Sequence, residues 1–220
     1  TGDHLITSTY EHPAILKVSN FLEKKGVEVS YIKPNSSGVI DPCKVEKKIK
    51  PNTKLISIMF VNNEIGTINP IHEISEISNK KNIVFHTDAI QYIGKQKINL
   101  KETKIDLLSL SAHKFYGPKG IGALFIRDGI NLNPSYTGGG QEKNLSPGTE
   151  NIVGVYGLSL ALEISLDELS KWEKTIIEYE SIFIKTLEKM GVDFKINGKN
   201  RLPGILNITF MDTLSSDLVM

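Results

Sequence analysis

What most constrains this chain is a repeated alternation of short, continuously apolar runs with amphipathic helical stretches. Strand-like runs are read at 5–8, 27–32, 55–60, 83–86, 107–111 and 121–126, with helical patterns between them. Several carry apolar side chains on successive rather than alternate residues, which suits strands covered by helices on both faces. Strand–helix–strand units of this kind build a largely parallel sheet, so the sequence reads as α/β.

The helices have legible starts. Pro13 opens one that runs to Lys25 and stops at Gly26. Asp41-Pro42 is an N-cap followed by proline at the first helical position, beginning a helix to about Ile49. Asn69-Pro70 repeats that device ahead of the stripe Ile71, Ile74, Ile77. The stretch GVYGLSLALEISLDEL, residues 154–169, is apolar nearly all round and is expected to be a largely buried helix. A long amphipathic helix over 171–190 follows, carrying Trp172, Ile176, Tyr179, Phe183 and Leu187. This change of pattern puts a domain boundary near residue 170, with a ligand-binding unit over 1–170 and the beginning of a smaller one over 171–220. Both ends read as cuts through structure: HLITS enters a strand at once, and SSDLVM reads as a serine-capped helix just starting.

Composition narrows the function classes. Twenty-six Lys+Arg against 25 Asp+Glu leave a net charge of +1, which favours neither nucleic acid nor an anionic membrane as partner. No apolar run reaches the ~20 residues that span a bilayer, and no basic-then-apolar leader is read. The single cysteine, Cys43, excludes an internal disulfide and leans towards a reducing compartment. The expected location is the cytoplasm.

In open α/β sheets, ligands bind beyond the carboxyl ends of the strands. Four such ends carry polar residues: TYEHPA, VNNEIG, HTDAIQ and SAHKFYGPKG. They nominate His12, Asn63, Asp88, Gln91, Ser111, His113 and Lys114 for one crevice. A lone aspartate or lysine is usually a solvated surface residue. Here, however, Lys114 follows Ser111 and His113 and precedes a glycine-rich turn that lets backbone pass close to a ligand. Hydroxyls and backbone amides beside a lysine can hold a phosphate. An aspartate at one strand end and a lysine at a later one suit pyridoxal phosphate: the lysine forms a Schiff base, and the aspartate keeps the pyridine nitrogen protonated.

The motifs VNNEIGTINP, HTDAIQYIGK, SAHKFYGPKGIGALFIR and GGGQE…PGTEN, in this order and spacing, resemble the NifS/IscS-type cysteine desulfurases. These belong to the class V aminotransferase group of fold-type I pyridoxal-phosphate enzymes, and the resemblance covers nearly the whole chain. It implies a mostly parallel large-domain sheet, a smaller C-terminal α+β domain and a homodimer. The implied reaction takes sulfur from L-cysteine, giving L-alanine and an enzyme persulfide that serves iron–sulfur cluster or thio-cofactor assembly through an acceptor such as an iron–sulfur scaffold protein. Carried over residue by residue, Lys114 is the Schiff-base lysine, Asp88 pairs with the pyridine nitrogen, and Gln91 bonds the ring's phenolic oxygen. His12 stacks on the ring and is a candidate for proton transfer. Asn63 lies near the ring oxygen and the substrate carboxylate, Ser111 and His113 bind the phosphate, and Thr149 reaches the phosphate of the partner subunit. No metal is implied.

Three departures are visible. The family's nucleophilic cysteine lies on a loop after the NITF strand, beyond this sequence, and Cys43, inside a helix start far upstream, does not inherit its role. The upstream phosphate-binding threonine and the later carboxylate-binding arginine are also outside it. Ser146 stands where the family usually has arginine, and serine lacks the guanidinium's fork of donors. The expectation is a cofactor platform that is inactive alone. Two alternatives stay open: a degenerate, non-catalytic desulfurase-like protein, or another class V lyase or aminotransferase working through Lys114.

Overall fold

The computed structural model describes residues 2–211. Six strands form one sheet: β1 (His4–Ser8), β2 (Glu28–Ile32), β3 (Thr53–Ser57), β4 (Val84–Asp88), β5 (Leu107–Ser111) and β6 (Gly122–Ile126). Their order across the sheet is β2-β1-β3-β4-β5-β6, parallel except for the antiparallel edge pair β5–β6. The expected α/β architecture is therefore the observed one. The third run ends its ladder earlier than read, at Ser57. Beyond it Ile58 and Phe60 still donate to His86 and Asp88 carbonyls, so the chain stays extended towards the site.

Helices α1 (Pro13–Lys24), α2 (Pro42–Lys47) and α3 (Ile71–Lys80) connect the strands. Asp41 caps α2 as read, its Oδ1 accepting from the Cys43 amide at 2.9 Å. Asn69 does not cap α3; Pro70 stands at the N-cap position without a side-chain bond. The Asn69 amide is engaged elsewhere, accepting from Tyr10 Oη and Ile40 N and donating to the Met59 carbonyl. A buried asparagine with three such partners ties the loops after β1 and β3 together, and that tertiary use displaces the local one.

The core lies between sheet and helices, with Ile6, Ile40, Ile56, Ile74, Phe85 and Ile105 fully buried. All five β1 residues are buried, the polar His4, Thr7 and Ser8 along with Leu5 and Ile6, as befits a strand flanked on both sides in the sheet. Two imidazoles are built into the sheet as cross-strand rungs. His4 meets Thr53 Oγ1 and Ser30 Oγ at 2.7 and 2.9 Å, and His86 meets Ser57 Oγ and Ser109 Oγ at 2.8 and 2.9 Å. Each ring has a partner on both nitrogens, the condition under which a buried polar group is tolerated.

After β6 comes the turn α4 (Gln141–Asn144), in which Glu142, Lys143 and Asn144 hold left-handed φ values of 48°, 57° and 66°. Helices α5 (Ile152–Asp167) and α6 (Leu169–Lys189) follow, then a separate antiparallel pair, β7 (Phe194–Asn197) and β8 (Asn207–Phe210). Helix α5 corrects an expectation. It is apolar all round, yet Ile152, Val153 and Tyr156 are 75%, 83% and 70% exposed, and its one buried residue is Gly154. Only one side, through Leu158, Ala161 and Leu162, packs on the core. Apolar composition stated a demand for cover that the described residues meet on one face alone. The helix start read at SSDLVM lies outside the described residues.

Candidate active site

The sheet changes direction of growth between β1 and β3: β2 lies on one side of β1, and β3, β4 and β5 follow on the other. A crevice is expected at the carboxyl ends there. A cavity of about 360 Å³ opens at that place, lined by His12, Met59, Val61, Asn63, Asp88, Ile90, Gln91, Ser111, His113 and Lys114. Seven of the eight residues nominated from sequence thus meet in one site, each from the end of β1, β3, β4 or β5 or the chain just beyond it. Thr149 does not; it is exposed and absent from the lining, as is Cys43 at the start of α2. The sequence reading missed Met59, Val61 and Ile90. Their position just past strand ends was a usable signal, but apolar side chains there look like ordinary core.

Asp88 ends β4 and is buried, its Oδ1 accepting from the Ile90 amide at 3.0 Å. Burial pushes its pKa up, with the Ile90 bond and the positive field of His12 opposing. None of the ion pairs among the described residues includes it. A buried carboxylate outside any ion pair is costly, and a cation set directly against it relieves that cost. Lys114 comes from the 3-10 turn Ala112–Phe115, directly after β5. In the same turn Ser111 Oγ and His113 Nδ1 are 2.8 Å apart, a polar pair at the rim.

His12 is the N-cap of α1, and its Nδ1 accepts from the Ala14 amide at 3.2 Å. An accepting ring nitrogen carries no proton, so the neutral ring holds its proton on Nε2. Glu11, beside it, is 3% exposed and was not anticipated as a neighbour of the site. Its Oε1 accepts from Ser8 Oγ and the Met59 amide at 2.5 and 3.0 Å, while Oε2 has no partner among the described residues. Burial pushes its pKa up to about 7 against those two bonds, with the charge of Asp88 adding. Glu11 pins the His12 loop to the end of β3.

The segment after β4 is held tightly. Tyr92 stacks on Phe60 with ring centroids 3.7 Å apart. Gly94 has φ +78°, and a Cβ there would sit 2.4 Å from Phe115 Cβ. The loop carrying Gln91 and the turn carrying Lys114 are therefore in direct backbone-to-side-chain contact. Helix α5 buttresses that turn: Ser165 Oγ donates to the Phe115 carbonyl at 3.2 Å.

A strand-end crevice in an α/β sheet, with a lysine and a buried aspartate converging on it, is a fold-and-site combination that sequence comparison can place. The aminotransferase class-V model matches residues 1–220, and the chain belongs to that family. Within it, the relatives are cysteine desulfurases. The chain is 46% identical over 211 residues to cysteine desulfurase IscS of Dictyoglomus turgidum, covering 95% of this chain and 54% of that protein. Among solved structures it resembles a NifS-like protein (TM-score 0.93, 38% identity, 98% of this chain and 60% of that one). It also resembles SspA in complex with cysteine (TM-score 0.81, 42% identity, 95% and 58%). The chain thus spans about half the length of the curated relatives it matches.

Proposed function

We propose that this chain carries the cofactor platform of a pyridoxal-phosphate-dependent cysteine desulfurase, with the cofactor held between Asp88 and Lys114. One observation supports the reading above others: a buried carboxylate with no ion-pair partner among the described residues shares a small cavity with a lysine. A protonated pyridine nitrogen is the kind of cation that would restore the Asp88 charge against the pull of burial. The flanks fit as well, since Met59, Val61 and Ile90 offer apolar surface to a flat ring. When bound, pyridoxal phosphate supplies an electron sink for bonds at the substrate α-carbon.

The chain's own residues then divide the work. Lys114 is the amine that anchors the cofactor covalently. Ser111 and His113 bind the phosphate, and Gln91 and Asn63 serve the ring oxygen and substrate carboxylate. His12, its Nδ1 engaged at the helix start, offers Nε2 for ring contact and proton transfer. Thr149, outside its own cavity, suits a role at the phosphate of a partner subunit, and the uncovered face of α5 is consistent with a homodimer. The substrate is L-cysteine and the products are L-alanine and sulfur for an acceptor protein such as an iron–sulfur scaffold, in the cytoplasm. Residues 1–170 form the cofactor-binding unit, and the smaller unit begins at 171.

Titration with pyridoxal phosphate tests this. We expect a visible absorption band that is abolished in Lys114→Ala, and in Asp88→Ala an affinity weaker by about a hundredfold. No band in the parent chain at saturating cofactor would refute the reading.

A further inference from the structure

Lys95 has no place in the site as described. It lies four residues beyond Gln91 in the tight turn after β4, is half-buried, and does not line the cavity. Its Nζ donates to Gln91 Oε1 at 2.9 Å. Lysine has three donors and no acceptor, so this contact identifies the Gln91 oxygen without ambiguity between amide O and N. No other hydrogen bond engages the Gln91 side chain among the described residues. With its oxygen held by Lys95, the free end of the amide is its NH₂ group, on a residue that lines the cavity.

We propose that Lys95 is a positioning residue that locks the Gln91 amide with its N–H donors, rather than its carbonyl, presented to the ligand. An amide left free can present either group, and the wrong one would set a carbonyl lone pair against an anionic ligand oxygen. The proposal rests on the cofactor reading, under which that oxygen is the ring phenolate. The turn is built to hold this pair in place. Tyr92 is stacked on Phe60, and Gly94 sits too close to Phe115 for any side chain. Burial, with the charge of Lys114 adding, pushes the Lys95 pKa down to about 8. The lock belongs to the protonated amine, which has no acceptor; loss of that proton frees a lone pair that can take the Gln91 N–H instead and unlocks the amide.

The chain contains three glutamines, so selective ¹⁵N labelling of glutamine side-chain amides gives three signal pairs, and Gln91→Leu assigns one of them. In the cofactor-free chain, Lys95→Met is expected to move the Gln91 pair, Lys95→Arg to restore it, and Lys97→Met, the same charge change on an exposed neighbour, to leave it alone. With pyridoxal phosphate added, Lys95→Met is expected to weaken binding about tenfold. The same substitution in a Gln91→Leu background is expected to weaken it no further. An unmoved Gln91 signal in a folded Lys95→Met chain, or losses that simply add in the double variant, would overturn the proposal. A parent chain that shows no cofactor band at all would instead overturn the cofactor reading, and the cofactor-free spectra would still decide whether Lys95 orients Gln91.

Discussion

The sheet interior and helix α5 are similarly apolar in sequence and differ in what covers them. Ile6, Ile56 and Phe85 have no exposure at all, whereas Ile152 is 75% and Val153 83% exposed. The first group is closed by helices that its own chain supplies within a few dozen residues. The second needs a surface that the described residues do not supply. Hydrophobicity in a sequence therefore states how much cover a segment needs, not where the cover comes from. An apolar face of this size ordinarily marks a place where another surface sits.

The sharpest way to break this contrast is to make one edit on both sides of it. Ile56→Ala, in the closed half, is expected to destabilise by about 2–5 kcal/mol through lost burial and a residual cavity. Ile152→Ala, on the open face, is expected to change stability by no more than about 0.5 kcal/mol. Urea unfolding of both variants measures the difference. Equal losses would mean that α5 is covered in solution.

A second test uses the two titrating groups enclosed in the closed half. Burial holds the His86 pKa at about 4 against an ordinary 6.5. The unfolded chain takes that proton first, so stability is lost as pH falls from about 6.5 to about 4. Glu11 is the mirror case: with a folded pKa of about 7 against 4.5, it loses stability as pH rises across that range. Each limb is worth ~3 kcal/mol, and the two oppose each other between pH 4.5 and 6.5. The parent profile should therefore be nearly flat there. His86→Gln should leave the Glu11 limb, with stability falling as pH rises, and Glu11→Gln should leave the opposite slope. If the parent and both variants give the same profile of unfolding midpoints, neither group is enclosed as described.

A more local effect is expected at the start of α5. Asn151 Oδ1 accepts from the Gly154 amide at 2.9 Å, so Asn151→Ala should cost about 1 kcal/mol in thermal or urea unfolding. A cap acts locally, and its contribution should appear even where the helix beyond it is open. That would separate what α5 owes to its own backbone from what it still needs from a partner surface.

Much of the closed half was legible in the sequence. The strands were continuous apolar runs, and Asp88 and Lys114 stood where two of them ended, so topology alone carried both to one cavity. What could not be read depended on distant partners. Asn69 looked like a helix cap because the residues that claim it, Tyr10, Ile40 and Met59, lie 59, 29 and 10 positions away. Nothing nominated Glu11, because its burial and its bond from the Met59 amide depend on chain 48 positions away. The exposure of α5 was illegible in principle, because an all-apolar helix reads alike whether its cover is local or remote. Lys95 was a middle case: its spacing of four from Gln91 was visible, but a hydrogen bond between them was not implied by spacing alone.

The imidazole rung through Ser57, His86 and Ser109 bears on how the chain finds its pairing. Side chains alternate faces along a strand, so His86 and Asp88 share one face of β4. A slip of β4 by a single residue would turn the ring to the opposite face and strand an imidazole and two hydroxyls in an apolar interior, at about 1–3 kcal/mol for each group left bare. Parallel strands slide easily when their contacts are uniformly greasy; this one carries a detent. By penalising every other alignment, the rung fixes how far β4 advances, and so delivers a carboxylate, rather than its neighbour Thr87 or Ala89, to the mouth of the sheet.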